Sequence, residues 1–141
     1  MLVRLIYASR ADASVGAEEL AAILRKSRQN NPGSGVTGLL CLSGGIFLQV
    51  LEGGRSQVSA LYNRISADPR HHEVVLLAYE EIAERRFAGW SMGVIDLSRL
   101  NPALLLKYSE TAVLDPYALS GRVSMALFDE LIATASVNCS T

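Results

Sequence analysis

Residues Val36 to Gly53, VTGLLCLSGGIFLQVLEG, constrain this chain more than any other stretch. Two apolar runs of strand length, Val36–Leu42 and Ile46–Leu51, flank Ser43-Gly44-Gly45, where consecutive glycines supply the positive φ of a tight turn. The stretch predicts a buried β-hairpin. Within its second run Gln49 carries a primary amide between Leu48 and Val50. An amide buried without a partner costs roughly 1–3 kcal/mol, so the fold must bring Gln49 something to bond.

The remaining elements follow from hydrophobic period. Leu2–Ser9 reads as a first strand, closed by the polar loop Arg10–Ser14. From Ala17 the spacing becomes helical, with Leu20, Ile23, Leu24 and Ser27 on one face. Glu18 and Glu19 come early and Arg25, Lys26 and Arg28 late, as the helix dipole favours. Asn30-Asn31-Pro32-Gly33 is the expected stop. After the hairpin, Gly53-Gly54 opens a second helical pattern, Val58, Leu61, Tyr62 and Ile65, which ends near Asp68 because Pro69 disfavours helix in the residue before it. His72–Ile82 predicts another strand, Glu84–Trp90 a polar turn, and Met92–Ile95 a short extra strand.

The order β-α-β-β-α-β is that of the split βαβ, or ferredoxin-like, α/β (α+β) fold. Right-handed crossovers there place the first and third strands side by side at the sheet centre. Tyr7 and Gln49 then lie on neighbouring strands. Alternation puts Val3, Leu5, Tyr7 and Ser9 on one face of the first strand, and Phe47, Gln49 and Leu51 on one face of the third. If these are the helix-facing sides, phenol and amide enter one space. The opposite face, with Leu2, Ile6, Leu48 and Val50, is also apolar and needs its own cover. Leu104-Leu105-Leu106 and the helical spacing Val123, Leu127, Leu131, separated by Asp115-Pro116, predict a helical annex on that face. The expected division is 1–96 for the α/β unit and 97–141 for the extension.

At 141 residues the chain is sized for a single core. Its 13 Lys and Arg balance 14 Asp and Glu without runs of either sign, which argues against direct nucleic-acid binding. Cys41 and Cys139 make neither a disulfide framework nor a metal site. No signal-peptide pattern and no apolar run of membrane-spanning length is present, so the expectation is a soluble cytoplasmic protein with no membrane contact.

Each conspicuous polar residue admits two readings. Tyr7 is a core tyrosine with a satisfied hydroxyl, or a ligand contact. Gln49 is harder to read as packing, since glutamine seldom occupies a central strand. Asn31 before Pro32 is a helix-stop residue or a polar contact. Asp68-Pro69-Arg70-His71-His72 is a solvated loop or a contact for a phosphate or ribityl chain, and Trp90 and Met92 are core residues or sensors of the site. There is no paired-carboxylate, nucleophile–base, metal-ligand or G-x-G-x-x-G pattern, so no enzyme is expected.

Taken together, Leu5-Ile6-Tyr7-Ala8-Ser9, Asn31, Val36-Thr37-Gly38-Leu39-Leu40, Phe47-Leu48-Gln49-Val50-Leu51-Glu52-Gly53 and Arg86-Phe87-Ala88-Gly89-Trp90-Ser91-Met92 resemble the BLUF family, blue-light sensors that use FAD. The resemblance covers about Met1 to Asp96, and the whole chain is similar to the short stand-alone members. It implies FAD held noncovalently between the two helices, with Tyr7 as photochemical donor and Gln49 as the amide connecting the phenol to the ring. Asn31 matches the residue bonding the ring's polar edge. Ile23, Leu40, Phe47 and Ile65 match apolar positions around the ring, and Arg64, Asp68, Arg70 and His71 the side where the ribityl and phosphate chain emerges. Trp90 and Met92 straddle the entry to the short last strand, which leads into the C-terminal segment, and are the expected signal relay. If Trp90 is extended, alternation gives the two one face, and either can sense Gln49. The implied partner is a separate protein effector, with a homodimer left open.

Two readings of other classes compete. One is a small acyl-phosphate hydrolase of ferredoxin-like fold using Arg10 and Asn31. The other is a non-catalytic interaction module using an apolar sheet face.

Overall fold

The computed structural model describes residues 1–134, and Cys139 lies outside them. Five strands, β1 (Leu2–Ala11), β2 (Thr37–Ser43), β3 (Ile46–Gly54), β4 (His71–Ile82) and β5 (Gly93–Asp96), form one sheet in the order β4-β1-β3-β2-β5. Helices α1 (Ala17–Ser34) and α2 (Arg55–Ala67) make the two crossovers. This is the ferredoxin-like arrangement. β1 runs antiparallel to both β3 and β4, and the added strand β5 runs parallel to β2. No helix among the described residues is long and apolar enough to cross a membrane.

Gly44 and Gly45 turn the β2–β3 hairpin at φ 54° and 80°, a region that side chains other than glycine seldom enter. The hairpin register fixes what faces what. Tyr7 sits directly opposite Gln49 on β1 and β3, and Leu40 opposite Gln49 on β2. Val3, Leu5, Tyr7, Phe47, Leu51 and Val58 are buried on the helix side. Ile6, Leu39, Cys41, Leu48 and Val50 are buried on the other side.

That second face is covered by the C-terminal segment. Two 3-10 turns, Leu97–Arg99 and Pro116–Ala118, and two helices, α3 (Pro102–Leu106) and α4 (Gly121–Ala133), bring Leu105, Leu114, Leu119, Leu127, Phe128 and Leu131 onto it. Ser120 caps α4 by accepting from the Val123 N–H at 3.1 Å. Ser43 ties the cover to β2 by donating to the Leu114 carbonyl at 2.8 Å.

α1 departs from expectation. It does not stop at Asn30–Gly33 but runs through Pro32 to Ser34, and Gly35, at φ 73°, ends it in the left-handed conformation. Proline near a helix end forfeits a single bond to the preceding turn, and Asn31 is pinned from outside the helix, so the turn persists. The basic residues Arg25, Lys26 and Arg28 consequently lie in mid-helix, and the last turn contains none. The extra turn keeps Asn31 helical and aims its side chain inward.

Gly38 allows β2 and β3 to approach closely, because a Cβ there would lie 2.0 Å from the Val50 carbonyl oxygen. Gly38→Ala must part the two strands of the hairpin. It should destabilise the protein by about 2–4 kcal/mol, read as a fall in Tm of roughly 5–15 °C. An unchanged Tm would refute this close approach.

Candidate functional site

A cavity of about 300 Å³ opens between α1, α2 and the helix-facing side of the sheet. Its origin lies in how α1 packs. Leu20, Ile23, Leu24 and Ser27 form the inward stripe of α1, yet none is fully buried, and Asn31 is the buried residue of this 18-residue helix. The stripe faces space as well as sheet. Ile23 and Leu24 from α1, Leu61 and Ile65 from α2, and Leu40 and Phe47 from the sheet make apolar walls.

Tyr7 and Gln49 form the floor. The Tyr7 hydroxyl donates to Gln49 Oε1, and Gln49 Nε2 donates to Met92 Sδ at 3.3 Å. Both ends of the amide are engaged. Gln49 is 7% exposed and Tyr7 1%. Burial, reinforced by the charges of Tyr62 and Asp68, pushes the Tyr7 phenol far above its ordinary value, so its proton stays on.

Asn31 closes one edge. Its Nδ2 donates to the Ser91 carbonyl at 2.7 Å, and Arg28 Nε donates to the Met92 carbonyl at 3.2 Å. α1 thus holds the segment entering β5 by two backbone acceptors. The other edge is charged. Arg70 grips Asp68 through Nε at 3.0 and 3.1 Å and Nη2 at 2.5 Å, and this guanidinium holds the Asp68 carboxyl down at about 2. His71 bonds Ser9 Oγ through Nδ1 at 2.8 Å and packs its ring 5.1 Å from that of Phe47. Burial lowers its pKa despite the opposing pull of Asp68. Arg64 and Lys26 stand at the mouth with no ion pair among the described residues.

Tyr7, Ile23, Asn31, Leu40, Phe47, Gln49, Arg64, Ile65, Asp68, Arg70, His71 and Met92 therefore all line one cavity. Trp90 does not. It packs against the core under the C-terminal helices, whereas Met92 is buried on the helix side. The shared face expected from alternation fails because residues 87–92 are not extended. The Trp90 N–H turns back to the Phe87 carbonyl at 3.1 Å, and β5 begins only at Gly93. The hydrolase pair also separates, since Arg10 lies over the Tyr117 ring at 5.5 Å and near Glu73, outside the cavity lining.

Leu24, Lys26, Ser27, Asn30, Ser34 and Leu61 line the cavity as well. Leu24, Ser27 and Leu61 were placed on the inward stripes by their spacing and Asn30 was expected only as a possible polar contact, whereas Lys26 and Ser34 carried no signal beyond lying one helical turn from Ile23 or Asn31.

The profile of the family described as "BLUF: Sensors of blue-light using FAD" matches residues 2–93. The chain belongs to the BLUF family. It is 35% identical over 97 residues to the blue light- and temperature-regulated antirepressor BluF of Escherichia coli K12, covering 69% of this chain and 24% of that protein. It is 36% identical over 92 residues to the photoactivated adenylate cyclase subunit beta of Euglena longa, covering 64% and 11%. The chain thus spans a small part of these curated relatives. Among solved structures, BlsA in its photo-activated state superposes with TM-score 0.87 at 28% identity, covering 100% of this chain and 99% of that one. The dark-state BLUF protein BlrB superposes with TM-score 0.79 at 36% identity, covering 95% and 96%.

BLUF domains bind flavin, and the residues here suit one. The apolar walls would take a flat ring, and the amides of Gln49 and Asn31 are the polar groups that could bond its edge. Asp68, Arg70, Arg64 and Lys26 are the charged groups of the lining that would stand beside a ribityl-phosphate chain. The cavity is at the small end of the ~300–1,000 Å³ range for ligand pockets, which suits a ring inside and a tail outside.

Tyr7 makes stability depend on pH. Its folded pKa lies above the value near 10 of an unfolded phenol, so only the unfolded chain releases this proton. The stabilisation is complete below about pH 10 and is lost as pH rises beyond it. In urea unfolding, wild type should lose stability above about pH 10 more steeply than Tyr7→Phe. Parallel curves would show that the fold does not hold this proton.

Proposed function

We propose that this chain is a blue-light photoreceptor that binds FAD noncovalently and reports illumination through the Tyr7–Gln49–Met92 hydrogen-bond chain. The observation that carries this reading is the double engagement of the Gln49 amide, with Tyr7 at its oxygen and a thioether at its nitrogen. A bound flavin supplies absorption of blue light and a ring that exchanges an electron and a proton.

The protein's part is a switch built from unequal partners. Tyr7 is held protonated, and its hydroxyl both donates and accepts. Rotation of the Gln49 amide places Nε2 toward the phenol oxygen, which accepts it. Oε1 then faces Met92 Sδ, which has no proton to give, and Met92 is released. Tautomerisation reaches a related end point by making the amide oxygen a donor. Either change alters the bonds of Met92, which leads directly into β5, whereas Trp90 responds only through the backbone between them. A difference of about 1.4 kcal/mol between the two states shifts a conformational equilibrium tenfold, within the range of one hydrogen bond.

The outcome is a conformation passed to a separate protein effector, with no substrate turned over. The names of the relatives, an antirepressor and adenylate cyclase subunits, support an effector downstream of such a domain.

Gln49→Leu should keep the fold and the flavin but abolish the light-induced red shift, because leucine retains volume and removes the exchangeable donor and acceptor. Tyr7→Phe should likewise bind flavin and lose the photocycle. A normal red shift in Gln49→Leu would remove the amide from the mechanism, and an intact photocycle in Tyr7→Phe would require another donor, Trp90 first.

Denatured protein should release its chromophore, with a mass matching FAD. A mass matching FMN, or chromophore retained on the chain through gel filtration, would correct this part of the reading.

A further inference from the structure

Glu52 is the most deeply buried charged residue among those described, with 0% exposure, and the switch just described makes no use of it. It lies three residues after Gln49 on β3. Alternation turns it to the opposite sheet face, where it stands across from Arg4 of β1. Its two oxygens divide most of their contacts, although the Arg86 N–H also reaches Oε2 at 3.2 Å. Oε2 accepts from Arg4 Nε at 2.9 Å and lies 2.7 Å from Arg4 Nη2. Oε1 accepts from the backbone N–H groups of Arg86 and Phe87 at 3.0 and 2.8 Å. Arg4 neutralises the carboxylate, which leaves Oε1 free to hold a loop.

The loop it holds passes from one sheet face to the other. At its start, the Phe87 ring meets Phe128 of α4 edge-on, with centroids 6.1 Å apart at 82°, and Arg86 reaches Asp129 of α4 at 3.1 Å. Of these, the aromatic contact lies in the buried core and the ion pair is exposed, so the ring pair is the stronger link. Six residues after Arg86, Met92 meets Gln49 on the helix side. Between them the Gly38 N–H bonds the Trp90 carbonyl at 3.0 Å and Asn31 bonds the Ser91 carbonyl, fixing the crossing to β2 and α1.

We propose that Glu52 is a positioning residue for the switch. By anchoring residues 86 and 87 it sets where Met92 meets Gln49, and it keeps that segment engaged with α4, so that release of Met92 is felt at α4. The proposal rests on the photoreceptor reading above. An unanchored loop would absorb the movement of Met92 locally. An anchored one, with only four residues between Phe87 and Met92, transmits it to Phe87 and Phe128.

Two charge-balanced variants separate anchoring from ion pairing. Arg4→Met with Glu52→Gln removes both charges but keeps an amide oxygen in the place of Oε1, able to accept from Arg86 and Phe87. Arg4→Met with Glu52→Leu removes both charges and the acceptor. The readouts are the light-induced red shift, the dark-recovery rate, and the light-minus-dark difference in amide exchange across Ser124–Leu131. The glutamine variant should match wild type in all three. The leucine variant should keep the red shift, since Tyr7 and Gln49 are untouched, change recovery by about tenfold, and lose the exchange difference at α4.

Equal recovery and equal α4 exchange in both variants would overturn the proposal and leave Glu52 an ion-pair partner of Arg4. So would wild type that shifts normally with no light-dependent exchange at α4. Should the leucine variant fail to bind flavin, Glu52→Asp decides, because it keeps the charge for Arg4 and shortens the reach to the loop. Altered recovery with loss of the α4 difference supports anchoring, and unchanged values overturn it. Wild type with bound flavin and no red shift sinks the photoreceptor reading itself, an outcome distinct from these.

Discussion

Everything at the centre of this molecule depends on one pairing, the phenol of Tyr7 with the amide of Gln49 across β1 and β3. Two polar groups in the innermost strands of an apolar sheet are tolerable only when each satisfies the other. That requirement pins the strand register. A slip of one residue between them would turn one of the two to the face where Ile6, Leu48 and Val50 meet α4 and leave the other unpaired. With the register set, the pair faces α1 and α2, and the amide's second end needs a donor-accepting neighbour there. Met92 meets that need in the structure, and the position of the β5 entry follows from it.

The sheet then separates two unlike compartments. One side is a dry core, filled by Leu127, Phe128 and Leu131 of α4 and the residues beneath them. The other is left partly unfilled and edged with amides and charges. Between them the chain crosses sides once in the short stretch from Arg86 to Met92, held at the dry end by Glu52 and at the open end by Gln49, Asn31 and Arg28. For a ligand-dependent event on one side, this stretch is a covalent route to the other with buried contacts at both ends.

The sequence announced the elements that repeat a simple period. The Gly44-Gly45 turn, the alternation on β1 and β3, and the spacing of Val123, Leu127 and Leu131 each produced the observed element, because burial and periodicity are local properties. Where a residue's position depends on a distant partner, local rules failed. Pro32 reads as a helix stop, yet the turn survives because Asn31 is bonded to Ser91, sixty residues away. Trp90 and Met92 read as neighbours on one face, yet a turn at Phe87–Trp90, held from Glu52 and Gly38, sends them to opposite sides. Glu52 showed only as a charge within a motif. Nothing in the spacing indicates that its carboxylate would be shared between Arg4 and two backbone donors.

The thin packing of α1 carries a consequence for how the chain is maintained. A helix that buries a single residue against its own protein borrows the rest of its core from whatever fills the space beneath it. Any ligand that binds the folded form alone adds RT ln(1 + [L]/Kd) to stability, about 2.7 kcal/mol at a hundredfold excess over Kd, and here that increment falls on one element more than on the others. Whatever fills the cavity would therefore tighten α1 more than the central strands, whose own side chains already complete their packing.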